Sequence, residues 1–144
     1  MRTFPAVTEL VPHEAPMLAL DRLVAFEEGR ATAELTVRGD GLFVRDGAVD
    51  SVVALEWMAQ TVAACLGMEA FVGGAGVRVG MVIACRQMKV LRPRVAVGER
   101  LVITALRVRG TDSLSHFDAE VRDGRGEPIA TSTLTLVHGE APPT

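Results

Sequence analysis

Residues 50–72, DSVVALEWMAQTVAACLGMEAFV, constrain what this chain can fold into more than any other stretch. They predict one α-helix of about 20 residues, roughly 30 Å long. Ala54, Leu55, Met58, Ala59, Ala63, Ala64 and Leu66 are good helix formers, and no proline interrupts them. Asp50 or Ser51 can accept hydrogen bonds from the free N–H groups at the start. Gly73-Gly74 ends the helix, because glycine takes the left-handed conformation without penalty. Apolar side chains fall on nearly every face, so the helix is expected to be buried on most sides. Within that surface Glu56 and Gln60 stand one turn apart, on the same face. An ionised carboxylate in apolar surroundings is costly, so Glu56 is expected to be paired, protonated or functional, or else to lie at the exposed margin of an ordinary amphipathic helix. A membrane span has a similar length, but Glu56 and Glu69 inside the segment and the polar remainder of the chain argue against one.

The 144 residues fit a single domain over 1–144, long enough to bury roughly two thirds of its surface. With 49% hydrophobic and 23% charged residues and a net charge of −3, the chain reads as soluble and globular, with no nucleic-acid partner. Lys89, Arg92 and Arg94, beside Arg86, make one local basic cluster. Cys65 and Cys85 sit in apolar runs without metal-ligand or CxxC spacing, so buried free thiols in a reducing compartment are expected. The N-terminus, MRTFPAVTELVPHEAP, lacks the apolar core of a signal peptide, and a cytoplasmic location is the expectation.

Pro5, Pro12 and Pro16 preclude a long helix near the start. Six strands are expected, at residues 20–26, 31–37, 77–91, 100–108, 114–122 and 129–137, separated by glycine- and acid-rich turns. The order is two strands, one helix, four strands. An α+β fold follows, with a six-stranded antiparallel sheet wrapped around the apolar helix. Residues 39–49 are expected to form a loop carrying Leu42, Phe43 and Val44.

Three segments resemble the 3-hydroxyacyl-carrier-protein dehydratases of the hotdog fold. VPHEAPMLALDRL (residues 11–23) is similar to their N-terminal LPHRxPxLLxDR signature. ALEWMAQTVA (54–63) is similar to the IEAMAQA stretch of their central helix, and RQMKVLRPRVAVGERL (86–101) to their RPVxPGD turn. The run of Glu, aromatic, Met, Ala and Gln, without the usual histidine loop, resembles the ApeP-like branch found with aryl-polyene pathways. The resemblance implies a curved sheet around the helix, a homodimer or a heterodimer with a related subunit, and no cofactor or metal. It implies loss of water from a 3-hydroxyacyl thioester carried on the phosphopantetheine arm of an acyl carrier protein. In that chemistry a histidine removes the α-proton and a helix carboxylic acid protonates the departing hydroxyl.

Glu56 falls on the helix carboxylate position, and Gln60 on the glutamine that orients groups around the site. The family's loop histidine is absent: GLFVRDGAVDSVV (41–53) holds no histidine, and its place falls near Leu42. His13 is the only histidine in a family motif and so the candidate base. Gln60, Leu42 and Phe43 are the candidate substrate contacts, and Met17, Met81 and Met88 candidate liners of an acyl tunnel. His116 is expected to be a cross-strand or surface residue, and Asp21-Arg22 an ion pair or surface feature. Two other outcomes fit the same residues. One is a non-catalytic acyl-binding subunit that pairs with a complete dehydratase or a ketosynthase. The other is an acyl-CoA thioesterase that uses one helix carboxylate and water.

Overall fold

Alternation with a period of two builds the sheet. Leu101, Ile103 and Ala105 on one strand, and Phe117, Ala119 and Val121 on the next, are buried, while the residues between them are more exposed. The computed structural model describes residues 3–74, 79–110 and 113–139. Nine strands occur among them: β1 (Arg22–Glu27), β2 (Arg30–Thr36), β3 (Val44–Arg45), β4 (Ala48–Asp50), β5 (Val79–Val90), β6 (Arg94–Ala96), β7 (Arg100–Gly110), β8 (Leu114–Asp123) and β9 (Pro128–Gly139). Six of them form the antiparallel sheet that the sequence predicts, and the structure sets their order as β1-β2-β7-β8-β9-β5. The short helix α1 (Val7–Leu10) and the long helix α2 (Ala54–Val72) complete the fold.

The sheet is shaped for the helix by small residues. Ala31, Ala105, Ala119 and Ser132 are register partners in succession across four strands, a row of short side chains on the buried face. That row lets α2 approach β2, β7 and β8 closely. By length and composition, residues 51–72 could cross a membrane, but 67% of the relevant window is buried inside the protein, so this is a core helix.

The start of the helix follows the sequence. Asp50 accepts a hydrogen bond from the Val52 N–H at 2.9 Å, a 3-10 turn covers Ser51–Val53, and α2 follows. At the other end Gly73 is still helical, and Gly74, with φ +79°, makes the left-handed exit.

The expected loop at residues 39–49 instead contains a hairpin. Asp46 (φ 52°) and Gly47 (φ 74°) form its two-residue turn, and β3, β4 and β6 make a second, three-stranded sheet. Asp-Gly is the strongest short-range hairpin signal, so this element was legible. Two- and three-residue strands are too short for a periodicity to show. The tail beyond residue 139 and the start of the 77–91 strand lie outside the described residues.

Other expectations are refined or corrected. Asp21 and Arg22 are both exposed, as a surface feature, and do not pair with each other: Asp21 Oδ2 accepts the Thr36 N–H at 2.7 Å, while Arg22 pairs with Glu34, which Arg100 also contacts at 2.6 Å. Cys65 is buried, but Cys85 is exposed on β5 because that strand lies at the sheet edge. Two members of the basic cluster are occupied within the fold. Arg92 pairs with Glu99 at 2.8 Å, and Arg94 donates to the Arg45 carbonyl at 2.5 Å, holding the β3–β4 hairpin.

Candidate active site

The chain before β1 lies along α2 as a strap. Leu10 passes directly over Gly67, where an added Cβ would lie 1.8 Å from the Leu10 carbonyl oxygen. Further along, Gln60, fully buried, fastens the strap a second time. Its Nε2 donates to the Met17 carbonyl at 2.7 Å, and its Oε1 accepts the Ala19 N–H at 2.9 Å. The assignment of the amide is fixed by these partners, one an acceptor and one a donor.

Between the two fastenings the strap delivers His13 to the helix. His13 Nε2 lies 3.5 Å from Glu56 Oε1. That same carboxylate oxygen accepts a 3.0 Å hydrogen bond from Gln60 Nε2. His13, Glu56 and Gln60 thus form one connected set, although 47 positions separate His13 from Gln60 in the chain (60 − 13). The side chains of His13 and Glu56 are 27% and 34% exposed, so the pair sits at a rim and not deep in the core. No Lys or Arg pairs with Glu56 among the described residues. His13 Nδ1 is buried without a hydrogen-bond partner among them. Burying such a group costs about 1–3 kcal/mol, a cost more often tolerated at a working site than in a scaffold.

Glu56 opens onto a slot of about 80 Å3 lined chiefly by apolar side chains. Its walls are Met17 and Leu18 from the strap, Leu35 and Val37 from the end of β2, Leu42, Phe43 and Val44 from the following loop, and Val53 and Trp57 from the helix entry. Leu42 (55% exposed) and Phe43 (50% exposed) form its lip. The slot holds only two or three water volumes, well below the several hundred Å3 of a typical ligand pocket, so one chain alone encloses only a short stretch of an acyl group.

The sequence-derived candidates separate accordingly. His13 and Glu56 come together; Glu56, Leu42 and Phe43 line the slot, whereas His13 stands beside the carboxylate and is not one of the slot's walls. Gln60 lies behind the carboxylate and does not line the slot, so it orients Glu56 and the strap. Met17 lines the slot, Met88 packs against the core, and the Met81 side chain lies outside what is described. His116 bonds Thr135 across the sheet at 2.9 Å, and the His138 side chain is outside the described set. Trp57 is buried and also lines the slot. Arg38 also lines the slot, and nothing in its local sequence pattern marks it.

The same helix carries a second polar contact. Arg107 grips both Glu69 oxygens at 2.6 and 2.9 Å and stacks over the Phe117 ring at 5.1 Å, while Gly29 N–H donates to Glu69 at 2.7 Å. Hydrogen bonding to Glu69 raises the Arg107 pKa, so the guanidinium stays charged. This bidentate pair ties the helix end to the β1–β2 turn and to β7.

A long apolar helix seated on a six-stranded antiparallel sheet defines an α+β hotdog fold. A family model described as ApeP-like, ApeP dehydratase, matches residues 5–142, and the chain belongs to that family. The dehydratase heterocomplex ApeI:P from Xenorhabdus doucetiae is similar with a TM-score of 0.89 at 22% identity, covering 96% of this chain and 93% of the other. The PaaI protein of the E. coli phenylacetic acid degradation operon shares the fold with a TM-score of 0.64 at 16% identity, over 80% of each chain. A hypothetical thioesterase with coenzyme A from Streptococcus pneumoniae gives a TM-score of 0.67 at 11% identity, covering 84% of this chain and 88% of the other. No curated protein matches the sequence.

Proposed function

We propose that this chain is a dehydratase subunit acting on 3-hydroxyacyl thioesters held on an acyl carrier protein. The observation that carries the reading is the 3.5 Å approach of His13 Nε2 to Glu56 Oε1, the carboxylate that lines an apolar slot. Neutral His13 removes a proton from C2 of the acyl group. Protonated Glu56 gives its proton to the C3 hydroxyl, the C3–O bond breaks, a C2=C3 double bond forms, and water leaves. The site then holds an imidazolium beside a carboxylate. Proton return from His13 to Glu56 across their short gap restores the starting state with no net proton consumed. Gln60 holds the carboxylate toward the histidine throughout.

The limited slot volume and the heterocomplex formed by a similar structure support assembly with a related hotdog subunit, which would enclose the rest of the acyl chain. The test is incubation with a 3-hydroxyacyl carrier protein, alone and with such a subunit, comparing wild type, Glu56→Gln and His13→Ala. Each variant is expected to lose at least about a hundredfold in rate. Undiminished turnover by either removes that residue from the mechanism.

Two alternative readings are tested by the same preparation. Leu42 in place of the family's loop histidine favours a non-catalytic acyl-binding subunit, for which turnover would be unaffected by both substitutions once the partner is present. The one-third exposure of Glu56 favours a thioesterase, since water reaches the carboxylate. Release of free acid from acyl-CoA, with no enoyl product, would support that.

A further inference from the structure

We infer that the free edge of β5 selects a non-identical partner strand bearing acidic side chains, and discriminates against a second copy of this chain. The inference rests on the pairing with a related subunit proposed above. In the six-stranded sheet β5 is terminal, hydrogen-bonded to β9 alone, so one edge of a twelve-residue strand offers its N–H and C=O groups to a neighbour. Apolar Val82 and Val90 on it are exposed.

The charges of this edge are arranged by a bulge. Arg86 and Lys89 are three residues apart, which in a regular strand would put them on opposite faces. Gln87, with φ +53°, shifts the register between them. Arg86 then pairs with Thr133 and Lys89 with Thr131, two positions that share one face of β9. It is the face turned away from α2, because Ser132 and Leu134 between and beside them are buried. Neither cation forms an ion pair among the described residues. The nearest carboxylates on that face, Asp118 and Glu120, lie two strands inward on β8 and already bond Thr133 and Arg122.

A strand added to this edge therefore meets two unneutralised cations on one face. A second copy brings the same cations. Between Glu69 and Glu99 the sequence has Arg78, Arg86, Lys89, Arg92 and Arg94 and no Asp or Glu, in a chain whose net charge is −3. Like charges brought together across strands oppose pairing, and opposite charges favour it. A partner with Asp or Glu on its own edge strand fits.

The test needs no natural partner. Arg86→Glu/Lys89→Glu in the full chain supplies an acidic edge on the same fold, with circular dichroism as the folding check. Association is measured by sedimentation for wild type alone, the double variant alone and an equimolar mixture, at about 20 mM and about 500 mM salt. The mixture is expected to dimerise about tenfold more tightly than either chain alone at low salt, with the gap closing at high salt. The neutral variant Arg86→Gln/Lys89→Gln is expected to self-associate more tightly than wild type at low salt. A mixture no tighter than its components, or wild type self-associating equally at both salt concentrations, overturns the inference. Dehydration is not measured here, so failure of the dehydratase reading and failure of this one are separate results.

Discussion

The carbonyl oxygen of Leu10 occupies the space that a Cβ on Gly67 would need, with 1.8 Å between them. Only glycine at this helical position lets the strap lie flat on α2, and the strap is what carries His13 to Glu56. Gly67→Ala would push backbone against backbone, which no rotamer change can relieve. It should destabilise the protein by about 1–3 kcal/mol even though alanine is the better helix former. In a chain of this size, thermal unfolding should shift down by about 2–4 °C per kcal/mol. An unchanged melting temperature would mean that the strap is not held here.

Gln60 ties down two backbone groups and one carboxylate oxygen. Gln60→Leu keeps the volume but leaves the Met17 carbonyl and the Ala19 N–H without their partner. At about 1–3 kcal/mol for each of these two unsatisfied groups, a loss of about 2–6 kcal/mol in denaturant unfolding is expected. Gln60→Glu, which keeps the acceptor for the Ala19 N–H but removes the donor to the Met17 carbonyl and places a second carboxyl against Glu56, should not recover that stability at neutral pH. If the leucine variant is as stable as wild type, the strap is fastened by something other than this amide.

The two thiols should differ sharply in reactivity. Burial, reinforced by the negative charge of Glu69, pushes the Cys65 thiol up to about 12. At pH 8 only about one part in ten thousand is then the reactive thiolate. Cys85 is exposed. A disulfide-exchange reagent should titrate one thiol in the native chain and two after denaturation. Rapid labelling of both in the native protein would contradict the burial of Cys65.

Glu34 should make the protein acid-sensitive. Burial by itself would raise its carboxyl, but the hydrogen bonds and charges of Arg100 and Arg22 outweigh that and hold it below the ordinary 4.5. A depressed value in the folded state means that, as pH falls, the unfolded chain takes up this proton first. The stabilisation is therefore complete above the ordinary value and lost as pH drops through the folded one. Glu34→Gln should melt below wild type at pH 7, and the difference should shrink progressively below about pH 4.5. A difference that stays constant down to acid would remove the carboxylate charge as its cause.

What the sequence by itself determined is the scaffold. A proline-free, mostly apolar run with a capping Asp50 and a terminating glycine pair pointed to a buried helix, and six short runs rich in apolar and β-branched residues, separated by turns, pointed to an antiparallel sheet to cover it. Those signals are local, repeating over several residues, and so survive in one dimension. Glu56 was also legible, because a carboxylate in an apolar helix stands out against its neighbours. The tertiary structure decided the rest. Whether His13 reaches Glu56 depends on where a proline-broken strap crosses the helix, and the close packing at Gly67 and the three hydrogen bonds of Gln60 fix that. The common face of Arg86 and Lys89 depends on one bulge, and the fate of Arg92 and Arg94 on which acceptors folding places beside them. Contacts between residues distant in the chain leave no periodic trace in it, so they are settled only when the elements pack.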